Sequence, residues 1–361
     1  MIVLLAVTIS FSVALVIAYL TPYVAPSTFG SLTIVGLFAP ILYMGVALCM
    51  LLWLVTGRWK TAGIVALLLV PGLFRVSDFY NIDFMREVET KPARSSFTLM
   101  SYNVRGFFDD NSRNSVDGVV EYLSQLEDVD IVCFQEFRDM RGVERIDSLF
   151  KAKKLAYLND VQEFDDVTLR TYSRFPIIKS GNISGDNRGT SQWVDVVMTR
   201  SIERTSDTIR IFNNHLHTMS ITPSDSEEIA QGTILNDGDR MRSIVDRIAN
   251  NSAIRVDHVD TLRMVVDETP YEHIVCGDFN DTPMSYVYGK LVDKHRDAFV
   301  EVGKGYGFTF RPMYGTLRID YVLHSEGIMS LSYLADDEAE YSDHLPIFVR
   351  MKVNKSAEQP K

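Results

Sequence analysis

The stretch His273-Ile-Val-Cys-Gly-Asp-Phe-Asn-Asp-Thr-Pro283 begins with an apolar run and ends abruptly in carboxylate and amide side chains. The apolar half predicts a buried strand over residues 273–277, because short continuous apolar runs are typical of strands covered on both faces. Asp278 and Asn280 follow where that strand would end. Side chains that bind or catalyse are commonly held at the ends of rigid elements. The stretch therefore predicts a buried sheet with a polar site at one edge.

Four other apolar runs adjoin polar side chains in a similar way. They are Leu99-Met-Ser-Tyr-Asn103, Val132-Cys-Phe-Gln-Glu136, Phe212-Asn-Asn-His215 and, with the polar residues first, Ser342-Asp-His-Leu-Pro-Ile347. Each alone has an ordinary structural explanation, since Asp278 with Asn280, for example, could form an Asx turn. Together they are hard to explain by solubility, because shorter neutral polar residues would serve as well. The five strand ends predict one shared site.

Strand-like and helix-like patterns alternate after residue 95. The predicted strands cover residues 97–104, 130–134, 192–198, 208–216, 273–277 and 319–324. Apolar residues recur at helical spacing from Val116 to Leu126 and from Met241 to Ile248. Neighbouring strands joined by a polar turn favour two packed sheets flanked by helices over a purely parallel sheet. The polar, acidic segment 219–238 is expected to be a long loop near the site.

The N-terminal region has a different composition, because residues 1–57 contain no Asp, Glu, Lys or Arg. Segments 2–20 and 32–55 are long enough, at about 1.5 Å per residue, to cross a hydrocarbon core of roughly 30 Å. A third segment, 61–80, spans only if the helix continues past Arg75. A cleaved signal peptide is the alternative for the first segment, but no basic residue precedes it and a second long apolar segment follows. The expected organisation is a transmembrane region (1–80), a linker (81–95) and a catalytic domain (96–361).

The loop charges predict how these helices are oriented. Arg58 and Lys60 lie between the second and third apolar segments, whereas residues 21–31 contain no Lys or Arg. The positive-inside rule then makes the 58–60 loop cytoplasmic. We therefore expect a multi-pass membrane protein with an extracytoplasmic catalytic domain. The alternative is a re-entrant or surface-lying third segment, which would leave the domain inside and is favoured by the basic residues Arg75, Arg86, Lys91 and Arg94.

The charge balance bears on nucleic-acid binding, and the cysteine content bears on metal sites and disulfides. The chain before Ser96 holds 6 basic and 4 acidic side chains, which leaves 30 basic and 43 acidic in the soluble part. A protein that follows a nucleic-acid duplex by neutralising phosphates normally has the opposite balance. Long-duplex binding is therefore disfavoured. The three cysteines have neither metal-site spacing nor the density of a disulfide scaffold, so we expect them to be free.

Seven short strings, in one order over about 250 residues, resemble the motif set of the endonuclease/exonuclease/phosphatase family. They are Met100-Ser-Tyr-Asn-Val-Arg105, Phe134-Gln-Glu136, Tyr172-Ser-Arg-Phe-Pro-Ile177, Asn214-His-Leu216, Gly277-Asp-Phe-Asn-Asp-Thr-Pro283, Arg318-Ile-Asp-Tyr-Val322 and Ser342-Asp-His-Leu-Pro-Ile347. One string would be a weak signal, whereas seven in order make chance agreement improbable. The resemblance implies an α/β fold, namely a four-layer α/β sandwich. It also implies an enzyme that cleaves phosphoester bonds with Mg²⁺ or Mn²⁺.

The residue types allow roles to be suggested for a metal site. Hard divalent cations take oxygen ligands, and Mg²⁺ usually binds one or two carboxylates together with waters and substrate phosphate. Glu136 is the best candidate ligand. Asn103 and Asp343 would complete or support the coordination sphere, and the cation would stabilise charge on the phosphoryl and leaving oxygens.

The remaining candidates would handle protons and phosphate charge. Asp278 would orient or deprotonate the attacking water, and Asn280 would donate its amide to a phosphoryl oxygen. Following the family pattern, His344 and Asp320 are expected to form a dyad. His215 is expected to donate a hydrogen bond to the phosphate.

The sequence leaves the substrate open among nucleic acids, lipid headgroups and small phosphate esters, because a fold does not fix a substrate. A nuclease is one interpretation, and a phospholipid or sphingomyelin phosphodiesterase is the alternative favoured by the apolar helices and the acidic domain. A third interpretation is a non-catalytic membrane receptor for a phosphorylated partner, which predicts that catalytic groups are lost. The sequence indicates a lipid bilayer as a partner and gives no sign of a protein partner.

Overall fold

The structure is a computed structural model of the 361-residue chain and describes residues 1–81, 96–109, 111–164, 166–184, 189–199 and 206–354. The predicted linker therefore lies almost wholly outside the described residues. The N-terminal region forms five helices: α1 Ile2–Leu20, α2 Pro26–Phe29, α3 Leu32–Leu37, α4 Ala39–Val55 and α5 Trp59–Leu73.

The second predicted apolar segment is broken at Phe38, where the backbone leaves the helical region with φ −92° and ψ 8°. Pro40 causes this break, because proline lacks an N–H and crowds the preceding turn. The third helix ends at Leu73 instead of continuing to residue 80. Within the described residues, one helical stretch, Ile2–Tyr23, which is α1 with the short 3-10 turn that follows it, is long and apolar enough to cross a membrane. Helices α4 and α5 are shorter than such a span.

The rest of the chain contains strands and helices in mixed order. The strands are β1 Tyr80–Asn81, β2 Ser96–Asn103, β3 Ile131–Arg138, β4 Tyr157–Phe164, β5 Val167–Ser173, β6 Ile177–Ser184, β7 Gly189–Thr199, β8 Ser206–Leu216, β9 Glu272–Asp278, β10 Arg296–Asp297, β11 Gly305–Tyr306, β12 Asp320–His324, β13 Ile328–Ala335 and β14 Ile347–Val353. The helices are α6 Val116–Gln125, α7 Glu144–Ala152, α8 Pro223–Gln231, α9 Gly238–Asp267, α10 Tyr286–Val292, α11 Ala298–Val302 and α12 Pro312–Gly315.

Two six-stranded sheets form the centre of the molecule, with strand orders β10-β12-β9-β8-β7-β6 and β13-β14-β2-β3-β5-β4. Their inner faces share one apolar core that includes Leu99 and Cys133 of one sheet and Ile211 and Cys276 of the other. Helices α6 and α7 cover the outer face of one sheet, and α9 and α10 cover the other. The predicted two-sheet α/β sandwich flanked by helices is confirmed. All three cysteines are free and buried.

The prediction of a long loop at 219–238 is wrong, because helix α8 forms there. Thr222 and Asp225 make a reciprocal capping box at its N-terminus. The Asp225 carboxylate also accepts hydrogen bonds from Arg240 and Arg247 of α9. Asp225, one of the acidic residues that suggest a loop, thus caps α8 and holds it against α9.

Candidate active site

The candidate side chains meet because the strands that carry them end at the same edge of the two sheets. Strands β2 and β3 run parallel, as do β8 and β9, so their carboxyl ends lie together. His215 on β8 is the register partner of Asp278 on β9. Asp278 is in turn the register partner of Asp320, at the start of the antiparallel strand β12. The sheets therefore bring together residues that are more than 100 positions apart in the chain.

Two site residues have a left-handed backbone that side-chain-bearing residues rarely adopt. Glu136 has φ 50° and lies in an irregularity of β3, between Phe134 and Phe137, where the pairing with β5 shifts register. Asn280 has φ 51°. Such conformations cost roughly 1–3 kcal/mol each and are found where the surrounding structure enforces them. The bulge redirects Glu136 away from the regular alternation of the strand.

Asp278 lies at the centre of the site with its side chain 1% exposed. Its Oδ2 accepts hydrogen bonds from Asn103 Nδ2 at 3.0 Å and from Asn280 Nδ2 at 3.1 Å, and its Oδ1 accepts from the Asn280 N–H at 2.8 Å. Burial and the nearby Asp320 carboxylate raise the pKa of Asp278 to about 6, against the opposing effect of His344 and His215. The carboxylate is therefore held in place and tuned close to neutral pH, as a general base requires.

His344 and Asp320 form a buried dyad. His344 Nδ1 lies 3.1 and 3.0 Å from the two Asp320 oxygens, which fixes the ring so that Nε2 faces Asp278 Oδ2 at 3.7 Å. Burial alone would lower the pKa of His344, but the carboxylates of Asp320, Asp278 and Asp343 outweigh it and hold the pKa well above its usual value. The surrounding carboxylates thus favour the cationic form of the imidazole.

His215 forms a second dyad with Glu163, a residue of β4 that the sequence did not indicate. His215 Nδ1 makes a short hydrogen bond to Glu163 Oε1, whose side chain is 3% exposed. Burial would lower the pKa of His215, but Glu163, with smaller contributions from Glu136 and Asp278, raises it to about 10. His215 Nε2 is buried and has no hydrogen-bond partner among the described residues. It lies 3.5 Å from Glu136 Oε1 and 3.8 Å from Asp278 Oδ2.

The His215–Glu163 dyad borders an open cleft. The cleft has a volume of about 390 Å³. It is lined by Glu136, Glu163, Gly189, Thr190, His215, Leu216, His217 and Thr218. An anionic oxygen in this space would satisfy the Nε2 donor, since an unmade hydrogen bond at a buried charged group is costly. The geometry therefore suits a phosphate group.

The predicted metal ligands also lie at this edge. Asn103 Nδ2 donates to Glu136 Oε1 at 3.1 Å, and Asp343 Oδ1 is 3.8 Å from His344 Nε2. Glu136 is 29% exposed and lines the cleft. Asp343 is paired with Arg105 Nε at 3.1 Å. This donor set of carboxylate and amide oxygens fits a hard divalent cation.

A second group of possible metal ligands consists of Asp278, Asp320 and His344, whose ligand atoms lie within 4.8 Å of one another. That group could hold an ion. However, His344 Nδ1 already bonds both oxygens of Asp320, which leaves Asp320 engaged as a hydrogen-bond acceptor. We therefore favour Glu136, with Asn103 and Asp343, as the cation site, because the Glu136 carboxylate is more open.

Asn280 is placed differently from its expected role as a phosphate donor. Both of its amide hydrogens are used, one by Leu216 O at 3.0 Å and one by Asp278 Oδ2 at 3.1 Å. Its Oδ1 accepts from the Met219 N–H at 3.4 Å. In this arrangement Asn280 holds Asp278 in position instead of pointing into the cleft.

Fold and site together define an α/β sandwich of the DNase I-like type, with acidic and imidazole side chains gathered at one sheet edge. The chain belongs to the Endonuclease/Exonuclease/phosphatase family, whose family model matches residues 100–344. Members of this family are phosphoester hydrolases. A second family model, described as a domain of unknown function (DUF8431), matches residues 2–79. A search among curated proteins gives no match.

Solved structures share the fold at low sequence identity. An endonuclease/exonuclease/phosphatase from Beutenbergia cavernae is 15% identical with a TM-score of 0.51, and 72% of each chain is covered. One from Bacteroides vulgatus is 17% identical with a TM-score of 0.48, covering 72% of this chain and all of that one. The human Nocturnin catalytic domain, with bound sulfate anion, is 15% identical with a TM-score of 0.47 and coverages of 72% and 95%. The Beutenbergia structure supports the fold assignment.

Proposed function

We propose that this protein is a membrane-anchored hydrolase of phosphoester bonds that uses Mg²⁺ or Mn²⁺ and a water nucleophile. The observation that carries the proposal is a pair of imidazole–carboxylate dyads that face one buried carboxylate. His215 and His344 both direct Nε2 to within 4 Å of Asp278 Oδ2. Two cations and one base at such spacing match the needs of phosphoester hydrolysis.

The chemistry assigned to these side chains follows from their charge. In-line attack on phosphorus requires donors for the negative charge on the phosphoryl oxygens and a group that accepts a proton from water. The cationic imidazoles of His215 and His344 are the donors in this proposal. Asp278, with its pKa raised to about 6, accepts the proton from water. Asn103 and Asn280 keep its carboxylate oriented through their side-chain amides.

A divalent cation would be held by Glu136 and Asp343, with the Asn103 side chain supporting them. When bound, it supplies positive charge that stabilises the phosphoryl and leaving oxygens. The support for this assignment is the hard oxygen donor set described above and the exposed edge of Glu136.

The apolar helices favour a phosphoester carried by a lipid headgroup over a long nucleic-acid duplex. Leu37, one residue before the break that leads into α4, packs in the same cluster as Ile319, the neighbour of Asp320. A site this close to the start of an apolar helix would lie near the surface of a bilayer. The soluble part also carries 43 acidic against 30 basic side chains, which repels a polyanion.

The proposal is tested with the full chain in lipid nanodiscs. Turnover with Mg²⁺ is measured on sphingomyelin, phosphoinositides, single-stranded DNA, RNA and bis-p-nitrophenyl phosphate. Asp278→Asn and His344→Ala are each expected to lower kcat by roughly 10² or more, because each removes a group that acts in the transition state. Asp293→Asn, at a side chain 72% exposed, is the matched control and should keep wild-type turnover.

Chelation provides the second arm of the experiment. EDTA should silence the enzyme, Mg²⁺ or Mn²⁺ should restore it, and Glu136→Gln should raise the cation concentration needed, because one anionic ligand is lost. Full turnover in excess chelator, or in both Asp278→Asn and His344→Ala, would contradict the mechanism. A folded wild-type chain that hydrolyses none of the substrates but binds a phosphorylated one would favour the receptor interpretation.

A further inference from the structure

The end of helix α3 packs against the back of the candidate active site. Leu37 is 8% exposed and shares a buried apolar cluster with three residues of the catalytic domain, Met219, Leu317 and Ile319. Three partly buried side chains complete this Leu37 cluster, namely Phe38, Ile221 and Phe310. The cluster therefore joins the apolar N-terminal region to a wall of the catalytic domain.

The catalytic-domain members of the Leu37 cluster contact the site directly. The Met219 N–H donates to Asn280 Oδ1 at 3.4 Å, and Asn280 in turn holds Asp278. The Phe310 ring lies 4.9 Å, centroid to centroid, from the His344 ring. Ile319 O accepts from the Phe279 N–H at 2.9 Å, between Asp278 and Asn280 in the chain. Movement of the cluster would thus reach both the base and one imidazole.

A second contact fixes the loop that follows Asp278. The Thr21 hydroxyl lies 2.6 Å from Met284 O and 2.7 Å from Ala18 O, so that its one hydrogen is shared between the two carbonyls, and both Thr21 and Met284 are buried. Helix α3 passes so close to this loop that a Cβ added at Gly36 would lie 2.3 Å from Met284 O and 2.8 Å from Thr21 Oγ1. Real Cβ atoms do not approach backbone oxygens at such distances, so position 36 accommodates only glycine unless the loop shifts.

We infer that Gly36 and Leu37 are positioning residues for hydrolysis, which set the loop that follows Asp278 and carries Asn280, and the wall behind His344. The N-terminal helices are then part of the active-site scaffold as well as an anchor. The inference rests on the proposed function, because it concerns the rate of that reaction. It extends the function by making turnover depend on how α3 is docked.

The experiment compares two glycine substitutions in the full chain in nanodiscs. Gly36→Ala should displace the Met284 loop and lower kcat on bis-p-nitrophenyl phosphate by roughly 10- to 100-fold, with KM changed far less, because small misplacements of reacting groups are costly. Gly63→Ala lies in α5, where an added Cβ meets no described atom within 4 Å. It should leave kcat unchanged.

Leu37 gives a second pair of variants that removes atoms instead of adding them. Leu37→Ala should lower kcat in the same direction, and Leu37→Met, which keeps the volume, should restore most of it. If Gly36→Ala does not fold, as judged by its melting transition, the Leu37 pair carries the test.

A readout that needs no turnover separates failure of this inference from failure of the proposed function. The chain has seven histidines. With ¹³C-labelled histidine, the His344 imidazole signal can be assigned by its loss in His344→Gln. We expect that signal to shift in Gly36→Ala and Leu37→Ala but not in Gly63→Ala, even if no tested substrate is hydrolysed. Unchanged His344 signals in both variants, or an equal loss of kcat in Gly63→Ala, would overturn the inference.

Discussion

At the scale of single residues, Asp278 combines a carboxyl group with nearly complete burial. Its pKa of about 6 in the folded protein lies above the ordinary 3.8. The folded protein therefore keeps a proton that the unfolded chain loses as the pH rises from about 4 to 6. Because the folded state binds more protons in this window, the free energy of unfolding falls with rising pH, by roughly 2–3 kcal/mol in total.

This loss should be visible by urea unfolding of cation-free protein at pH 4 and pH 7. Asp278→Asn cannot titrate, so its free energy of unfolding should gain roughly 2–3 kcal/mol relative to the wild type between the two pH values. Comparing the change between pH values cancels any constant effect of the substitution. Parallel wild-type and variant curves would show that Asp278 is not a strained carboxylate.

Glu163 is the site residue for which a role is newly suggested by the structure. Glu163→Gln keeps the shape of the side chain but removes the charge that holds the His215 pKa near 10. We expect kcat to fall by roughly 10-fold or more at neutral pH, because the imidazole loses part of its cationic population. Asp160→Asn, at an exposed position on the same strand, is the control and should leave kcat unchanged.

At the residue scale, the sequence could predict which side chains lie together where each of them adjoins an obvious apolar run. Asp278, Glu136 and His215 are at such positions, and the structure brings them together. Glu163 could not be found in this way, because β4 has a polar sequence in which Asp160 and Glu163 look alike. Only the placement of β4 against the other sheet buries one carboxylate beside His215 and leaves the other exposed.

At the scale of elements, the close pairing of the parallel strands β8 and β9 depends on one glycine. Gly277 has φ +124°, and a Cβ there would lie 2.0 Å from Asn214 O. Gly277→Ala should therefore lower the free energy of unfolding by roughly 3 kcal/mol or more, since it adds both backbone strain and overpacking.

Urea unfolding measures this cost, and Gly238→Ala is the matched control. An added Cβ at Gly238, in the first turn of α9, meets no described atom within 4 Å. Equal midpoints for the two variants would mean that the strands can separate without penalty, contrary to the packing described here.

Six strands, β2, β3, β7, β8, β9 and β12, could be predicted because covered sheet faces leave apolar runs such as Ile131–Phe134. The more polar strands, such as β4 and β6, could not be found in this way. The extent and number of the helices were harder to predict from the sequence. Helix α9 extends to Asp267 because it packs along one sheet, although the predicted apolar face stops at residue 248. Helix α8 was missed because its capping residues are the same polar types that favour loops.

At the scale of the whole molecule, if the N-terminal helices anchor the protein as proposed, their arrangement bears on which side of a membrane the domain lies. Ala18 near the end of α1 and Ala39 at the start of α4 share one cluster with Met284. Soon after α5 the chain forms strand β1, which pairs with β11 of the domain through Tyr80 and Tyr306. These three helix ends are therefore on the domain side, and the loop with Arg58 and Lys60 is on the other.

If that basic loop is cytoplasmic, as the positive-inside rule predicts, the catalytic domain lies outside. For an outside location, alkaline phosphatase fused after Lys91 should be active, and green fluorescent protein fused at the same position should not fluoresce. Bright fluorescence without phosphatase activity would reverse the assignment. The short helices α4 and α5, at 17 and 15 residues, make this test necessary.

The hydrogen bond between Thr21 and Met284 connects residues 263 positions apart. The Ser342 hydroxyl donates a hydrogen bond to Asn103 O, and these residues are 239 positions apart. A ribosome making this chain releases the apolar helices well before His344. If these helices anchor the protein as proposed, they have time to reach a bilayer before the histidine that completes the second dyad exists outside the exit tunnel. Under the proposed function, a newly made chain then cannot hydrolyse a substrate until its anchor has left the ribosome.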